Sequence, residues 1–147
     1  MKKILILMTI MTAFLLQSCD KKGPGDNYDF SNSLPPYVAL TATTPITVKK
    51  GTVANVSFLV KTAIQQAVTI TYKVEGAVNL PSQTVVLPRG VLTTTIAVPT
   101  VAAVITPPAT STTATLTLLS AVKADGTVLT IGSKNNPADQ KVLITIN

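Results

Sequence analysis

From Tyr37 onward the chain alternates apolar and polar residues with a period of two, and this period narrows its possible folds more than any other feature. Val68, Ile70, Tyr72 and Val74 interleave with Thr69, Thr71, Lys73 and Glu75. Val56, Phe58 and Val60 alternate with Ser57, Leu59 and Lys61, and Leu92, Thr94, Ile96 and Val98 with Thr93, Thr95 and Ala97. Leu116 and Leu118 alternate with Thr115 and Thr117, and Val142, Ile144 and Ile146 with Lys141, Leu143 and Thr145. Successive side chains of a strand point to opposite faces, so each run reads as a strand with one buried face. Turn formers separate the runs at Lys50-Gly51, Leu80-Pro81-Ser82, Pro88-Arg89-Gly90 and Asp125-Gly126.

The pattern predicts about seven strands, at 37–48 (broken at Pro45), 53–61, 68–75, 83–87, 91–98, 114–122 and 141–146. A short strand at 127–131 is expected to pair back across the Asp125-Gly126 turn. No segment of this part has a helical period. Many short strands with regular turns imply an all-β antiparallel sandwich or barrel. Composition agrees. Hydrophobic residues make up 46% and charged residues 12%, which excludes a disordered chain. Aromatic residues reach only 4%, so the core must be aliphatic. A domain of roughly 110 residues can bury such a core without disulfides or a metal.

The first residues read as an address. Met1-Lys2-Lys3 is positively charged, and the apolar run from Ile4 to Leu16 is interrupted only by Thr9 and Thr12. Thirteen residues fall short of the roughly 20 needed to cross a bilayer core, and they match the apolar centre of a secretory signal. Leu16-Gln17-Ser18-Cys19 follows, and Cys19 is the chain's one cysteine. These four residues resemble the lipobox of bacterial lipoproteins, with Gln17 a departure from the usual small residue. The resemblance implies cleavage before Cys19 and acylation of its thiol, so that residues 1–18 form a lipoprotein signal peptide. The competing reading is an ordinary signal with a leftover thiol. A lone cysteine has no internal disulfide partner, and lipidation accounts for it.

Residues 19–36 read as the lipidated cysteine and a flexible linker. Asp20-Lys21-Lys22-Gly23-Pro24-Gly25 is polar and rich in turn formers. An opening of Cys-Asp-Lys-Lys looks like Bacteroidetes-type lipoproteins, which implies an exported protein tied to the outer membrane on either the periplasmic or the surface side. Loss of Lys2 and Lys3 with the signal leaves ten basic against six acidic residues, a net +4. The remaining basic residues are scattered and lack stacking aromatics, so a nucleic-acid partner is not expected.

The stretch from Val68 to Asn147 resembles the Calx-β family. Val68-Thr69-Ile70-Thr71-Tyr72-Lys73-Val74 looks like an early strand of that family. Thr84-Val85-Val86-Leu87-Pro88-Arg89-Gly90 and Thr93-Thr94-Thr95-Ile96-Ala97-Val98 are similar to its hairpin. Thr115 to Leu118 and Lys141 to Ile146 fit its last two strands. The resemblance implies a single antiparallel immunoglobulin-like β-sandwich over residues 37–147. Calcium-binding members carry a cluster of Asp and Glu after the Thr-rich strand. Here the connection from Pro99 to Thr113 has no carboxylate, so no calcium is expected.

Little in the sequence points to chemistry. Histidine is absent, which excludes imidazole base catalysis and histidine-ligated metals. Within the expected domain the carboxylates are Glu75, Asp125 and Asp139, each at a turn or strand end. No catalytic residue, metal site or cofactor is assigned. Phe58 and Tyr72 belong to the expected inward faces, while Tyr28, Phe30 and Tyr37 either dock the linker or form an aromatic patch.

The connection Pro99–Thr113 is long and partly apolar through Val101, Val104 and Ile105. It reads as an edge strand or packed loop, or as a partner-binding surface. The expected function is a non-catalytic, membrane-anchored envelope lipoprotein whose sandwich binds a protein or acts as a spacer. The alternative is a glycan-binding accessory of a surface uptake system.

Overall fold

A computed structural model describes residues 35–133 and 136–147. The residues read as a signal peptide, Cys19 and all of the expected linker except Pro35 and Pro36 lie outside the described residues. Among the described residues no helix is long and apolar enough to cross a membrane.

Among the described residues the strands are β1 (Tyr37–Leu40), β2 (Ile46–Val48), β3 (Val53–Val60), β4 (Val68–Gly76), β5 (Leu80–Leu87), β6 (Thr93–Pro99), β7 (Thr112–Lys123), β8 (Thr130–Ile131) and β9 (Lys141–Ile146). A 3-10 turn, Pro137–Gln140, precedes β9. The strands form two sheets, one ordered β6-β3-β1-β8 and the other β2-β9-β7-β4-β5. The all-β sandwich read from the two-residue period is therefore the observed fold.

The alternation that defined the strands also defines the core. In β4, Val68, Ile70, Tyr72 and Val74 are buried, and in β9 so are Val142, Ile144 and Ile146. Val56, Phe58 and Val60 from β3 meet Leu116 and Leu118 from β7 in one continuous cluster. The Phe58 and Tyr72 rings tilt against each other at 42°, their centroids 5.7 Å apart, a favoured offset for aromatic pairs. Burial also raises the Tyr72 phenol above its usual pKa.

Several expectations need correction. The segment 37–48 is two strands in different sheets. β1 pairs antiparallel with β3, and β2 pairs parallel with β9. Residues 41–45 between them carry no strand, and Pro45 offers no amide for a ladder. The sandwich is thus not wholly antiparallel, because β8 also lies parallel to β1.

The 127–131 segment pairs back to β7 only at its start, where Val128 bridges to Val122 and the Leu129 amide donates to the Ala121 carbonyl at 2.8 Å. Its last two residues then leave for the other sheet. The segment at 83–87 reaches back to Leu80, and Val91 and Leu92 fall in the link before β6, both exposed. The two segments likened to a hairpin are not one. β5 and β6 are edge strands of different sheets, and Pro88–Arg89–Gly90 carries the chain across the sandwich.

The registers define two ends. Tyr37, where the chain enters β1, lies level with Thr130, and Val38 lies opposite Val60. Leu59 faces Thr93, Val68 faces Leu87 and Lys123, and all of these belong to this proximal end. At the distal end Val53 faces Pro99, Gly76 faces Ala114 and Val48 lies level with Ile146. Twelve residues of β7 run between the two ends, a length of about 40 Å.

Candidate functional site

The connection singled out for its length is irregular from Thr100 to Ser111 and closes the distal end. It is a loop and not an edge strand. Its base is tied down at three points. Thr100 is fully buried, and its hydroxyl donates to the carbonyl of Thr52 at 2.7 Å and to that of Lys49 at 3.2 Å. The Thr100 amide donates to the same Thr52 carbonyl at 3.1 Å. Three residues on, Ala103 is buried in the core cluster and its amide donates to the Thr100 carbonyl.

Pinning Thr100 and Ala103 leaves the residues around them facing outward. Val101 is 68% exposed and Val104 70%, while Ile105 is half-buried. Of the three residues expected to form a partner surface, two are presented to solvent and the third is partly packed. Val53, 50% exposed, lies opposite Pro99 at the foot of the loop and extends the apolar surface. Sequence reasoning missed Val53, because its contribution depends on the β3–β6 register. Exposed valines have no compensation for their contact with water, and a cluster of them marks a surface that gains by being covered.

The carboxylates do not assemble. Glu75 is the next-to-last residue of β4 and pairs with Lys73 at 2.8 Å, both partly exposed. Asp125 sits in the β7–β8 turn at the proximal end, where its carboxylate accepts from the Thr127 amide at 2.9 Å. Thr127, then Gln66 and Lys123, hold it well below the usual carboxylate pKa. Asp139 lies in the 3-10 turn. Among the described residues no three of His, Cys, Asp or Glu come together. The described carboxylates Glu75, Asp125 and Asp139 stand apart, whereas a calcium centre requires several convergent oxygen ligands. Of the aromatic residues, Phe58 and Tyr72 are consumed by the core and Tyr37 is half-buried on β1. Tyr28 and Phe30 lie outside the described residues.

Solved structures share this arrangement. A crystal structure of the apo-form Calx CBD1 domain is similar at a TM-score of 0.54 and 10% identity, over 77% of this chain and 96% of that one. A crystal structure of CBD12 from CALX1.2 is similar at the same score and identity, over 76% of this chain, which spans 43% of that longer one. The sandwich is Calx-β-like. At 10% identity the likeness establishes the fold alone. No protein-family model matches the chain, and a search of curated proteins finds no match. In the Calx-β-like sandwich described here, the β6–β7 connection is the long loop pinned by Thr100, and it lacks acidic residues.

Proposed function

We propose that this chain is a non-catalytic, lipid-anchored envelope lipoprotein whose Calx-β-like sandwich presents the distal loop to a protein partner. The observation that carries the proposal is the position of the single cysteine. Cys19 follows a 13-residue apolar run and the sequence Leu16-Gln17-Ser18. Two or three acyl chains on that residue would hold the protein in a membrane far more firmly than one, at about 0.8 kcal/mol per buried methylene.

Support for a binding role comes from Val101, Val104 and Val53, which are exposed at the end of the sandwich opposite Tyr37. This surface lies at the end of the sandwich remote from the point where the chain enters the fold, which suits a domain tethered at its front. Support for a non-catalytic role comes from the lack of histidine in the sequence and from the separation of Glu75, Asp125 and Asp139. The glycan-binding alternative has no comparable support, since Phe58 and Tyr72 pack in the core.

Metabolic labelling with palmitate tests the anchor. The wild type is expected to incorporate label and Cys19→Ala to lose it. Incorporation that persists in the variant refutes the anchor. Crosslinking in intact cells tests the loop. A partner captured by the wild type should be lost in the Val101→Asp/Val104→Asp double variant, and undiminished capture places the partner surface elsewhere.

A further inference from the structure

The proximal end of the sandwich carries features that a purely passive base would not need. Three basic residues gather there: Lys61 after β3, Arg89 in the β5–β6 crossover and Lys123 at the end of β7. Their loops interlock, because the Gly90 amide donates to the Ile64 carbonyl and the Ala124 amide to the Ala67 carbonyl. Asp125 accompanies them and lies 3.6 Å from Lys123, and Asp139 lies in the turn on the proximal side of Lys141. Among the described residues Lys61 and Arg89 are exposed and form no ion pair.

Exposed apolar side chains belong to the same end of the sandwich. Val128 is 71% exposed, Val86 55%, Leu92 49% and Val91 40%. Val86 and Val122 flank Thr69 across the ladder, and Val122 bridges to Val128, so these residues form one row on the outer sheet face. A surface that mixes basic and apolar side chains suits the boundary between anionic headgroups and acyl chains.

The path of the chain selects the occupant. The proximal end is where Tyr37 enters the fold, and only 17 residues separate it from Cys19. A random chain of 17 residues spans roughly 23 Å, less than the ~40 Å length of the sandwich. If Cys19 is the anchor, a linker of that average span favours approach of the proximal end to the lipid over that of the distal end. We infer that Lys61, Arg89, Val91, Leu92 and Val128 form a membrane-docking surface for anionic phospholipid, which stands the sandwich upright with its Val101–Val104 loop outward. The inference rests on the lipid anchor proposed above.

Full-length protein processed in cells and reconstituted into phosphatidylethanolamine–phosphatidylglycerol vesicles provides the test. Acylated Cys19 does not react with thiol dyes, so Val128→Cys and Val104→Cys each place one fluorophore at one end. Vesicles carrying nitroxide-labelled headgroups should quench the Val128→Cys label and spare the Val104→Cys label. Added salt should weaken that quenching. Lys61→Gln with Arg89→Gln should lower the docking equilibrium roughly 30-fold, about fivefold per cation.

Equal quenching at both ends, or quenching unaffected by the two substitutions, overturns the docking surface while an acylated mass at Cys19 leaves the anchor standing. A Cys19 that is unacylated by mass and reactive to dye, in protein that does not stay with the vesicles, overturns both.

Discussion

Replacing Thr100 with valine isolates the contact that fixes the distal loop. Thr100 is fully buried, and valine preserves its branched outline while removing the hydroxyl. The carbonyls that lose this donor keep other partners. That of Thr52 still accepts from the residue-100 amide at 3.1 Å, and that of Lys49 still accepts from the Thr52 amide at 3.1 Å and the Thr52 hydroxyl at 2.6 Å. No acceptor is stranded, so the cost is the net value of the lost hydrogen bonding, about 1 kcal/mol. Leaving a buried acceptor without any partner would add about 1–3 kcal/mol more.

For a domain of this size 1 kcal/mol corresponds to about 4 °C in midpoint. Urea and thermal unfolding of wild type and Thr100→Val should show this loss with an unchanged urea slope. Hydrogen exchange should quicken at Ala103, whose amide is bonded to the Thr100 carbonyl. A neutral or stabilised variant means that the hydroxyl bonds do not form in solution. A loss of several kcal/mol means that the acceptors have no alternative partners. Either result refutes the pinning argument.

Other perturbations follow from the same geometry. Ile70 is fully buried in β4, so Ile70→Ala should cost about 2–5 kcal/mol by urea unfolding, and a near-neutral change would refute its inward placement. Gly76 has φ near +107°, and a Cβ there would lie 2.7 Å from the Thr113 carbonyl oxygen. Gly76→Ala should therefore lower stability by at least about 1 kcal/mol, and an unchanged midpoint would refute the β4–β7 approach. Thr127, Gln66 and Lys123 hold the Asp125 carboxyl well below the ordinary aspartate range. Its contribution to stability is complete above the unfolded value of about 3.9 and is lost as pH falls toward the lowered native one. The stability difference between wild type and Asp125→Asn should thus shrink below pH of about 4, and a gap that does not change with pH would remove the turn's role.

The strands were readable because their alternation reports burial directly. Val68, Ile70, Tyr72 and Val74 are buried as the two-residue period required. The period says nothing about which strand lies beside which. The hairpin expected across Pro88–Gly90 is a crossover between sheets, since two Thr- and Val-rich strands look the same whether they pair with each other or with third strands. Residues 127–131 misled for a related reason. Asp125-Gly126 does form a turn, but Thr130 and Ile131 find more partners beside β1 than beside β7. At the candidate site the exposed valines of the connection stood out by composition. The buried hydroxyl of Thr100 did not, because threonine is too common here for any one of them to be distinguished.

The position of the distal loop relative to Tyr37 follows from a single irregularity. Each reversal of the chain moves the next connection to the opposite end of the sandwich. Between Thr41 and Pro45 the chain changes sheet without reversing, so β1 and β2 both run from the proximal toward the distal end. The links before β3, β5 and β7 consequently fall at the distal end, and those after β3, β5 and β7 at the proximal end. Had residues 41–45 formed a hairpin, two antiparallel strands would have replaced one continued direction, and every later connection would have exchanged ends. Val101 and Val104 would then stand beside Tyr37, and Lys61, Arg89 and Lys123 at the far end. The change of sheet ahead of Pro45 therefore decides both features at once: which end of the sandwich carries Val101 and Val104 and which carries Lys61, Arg89 and Lys123.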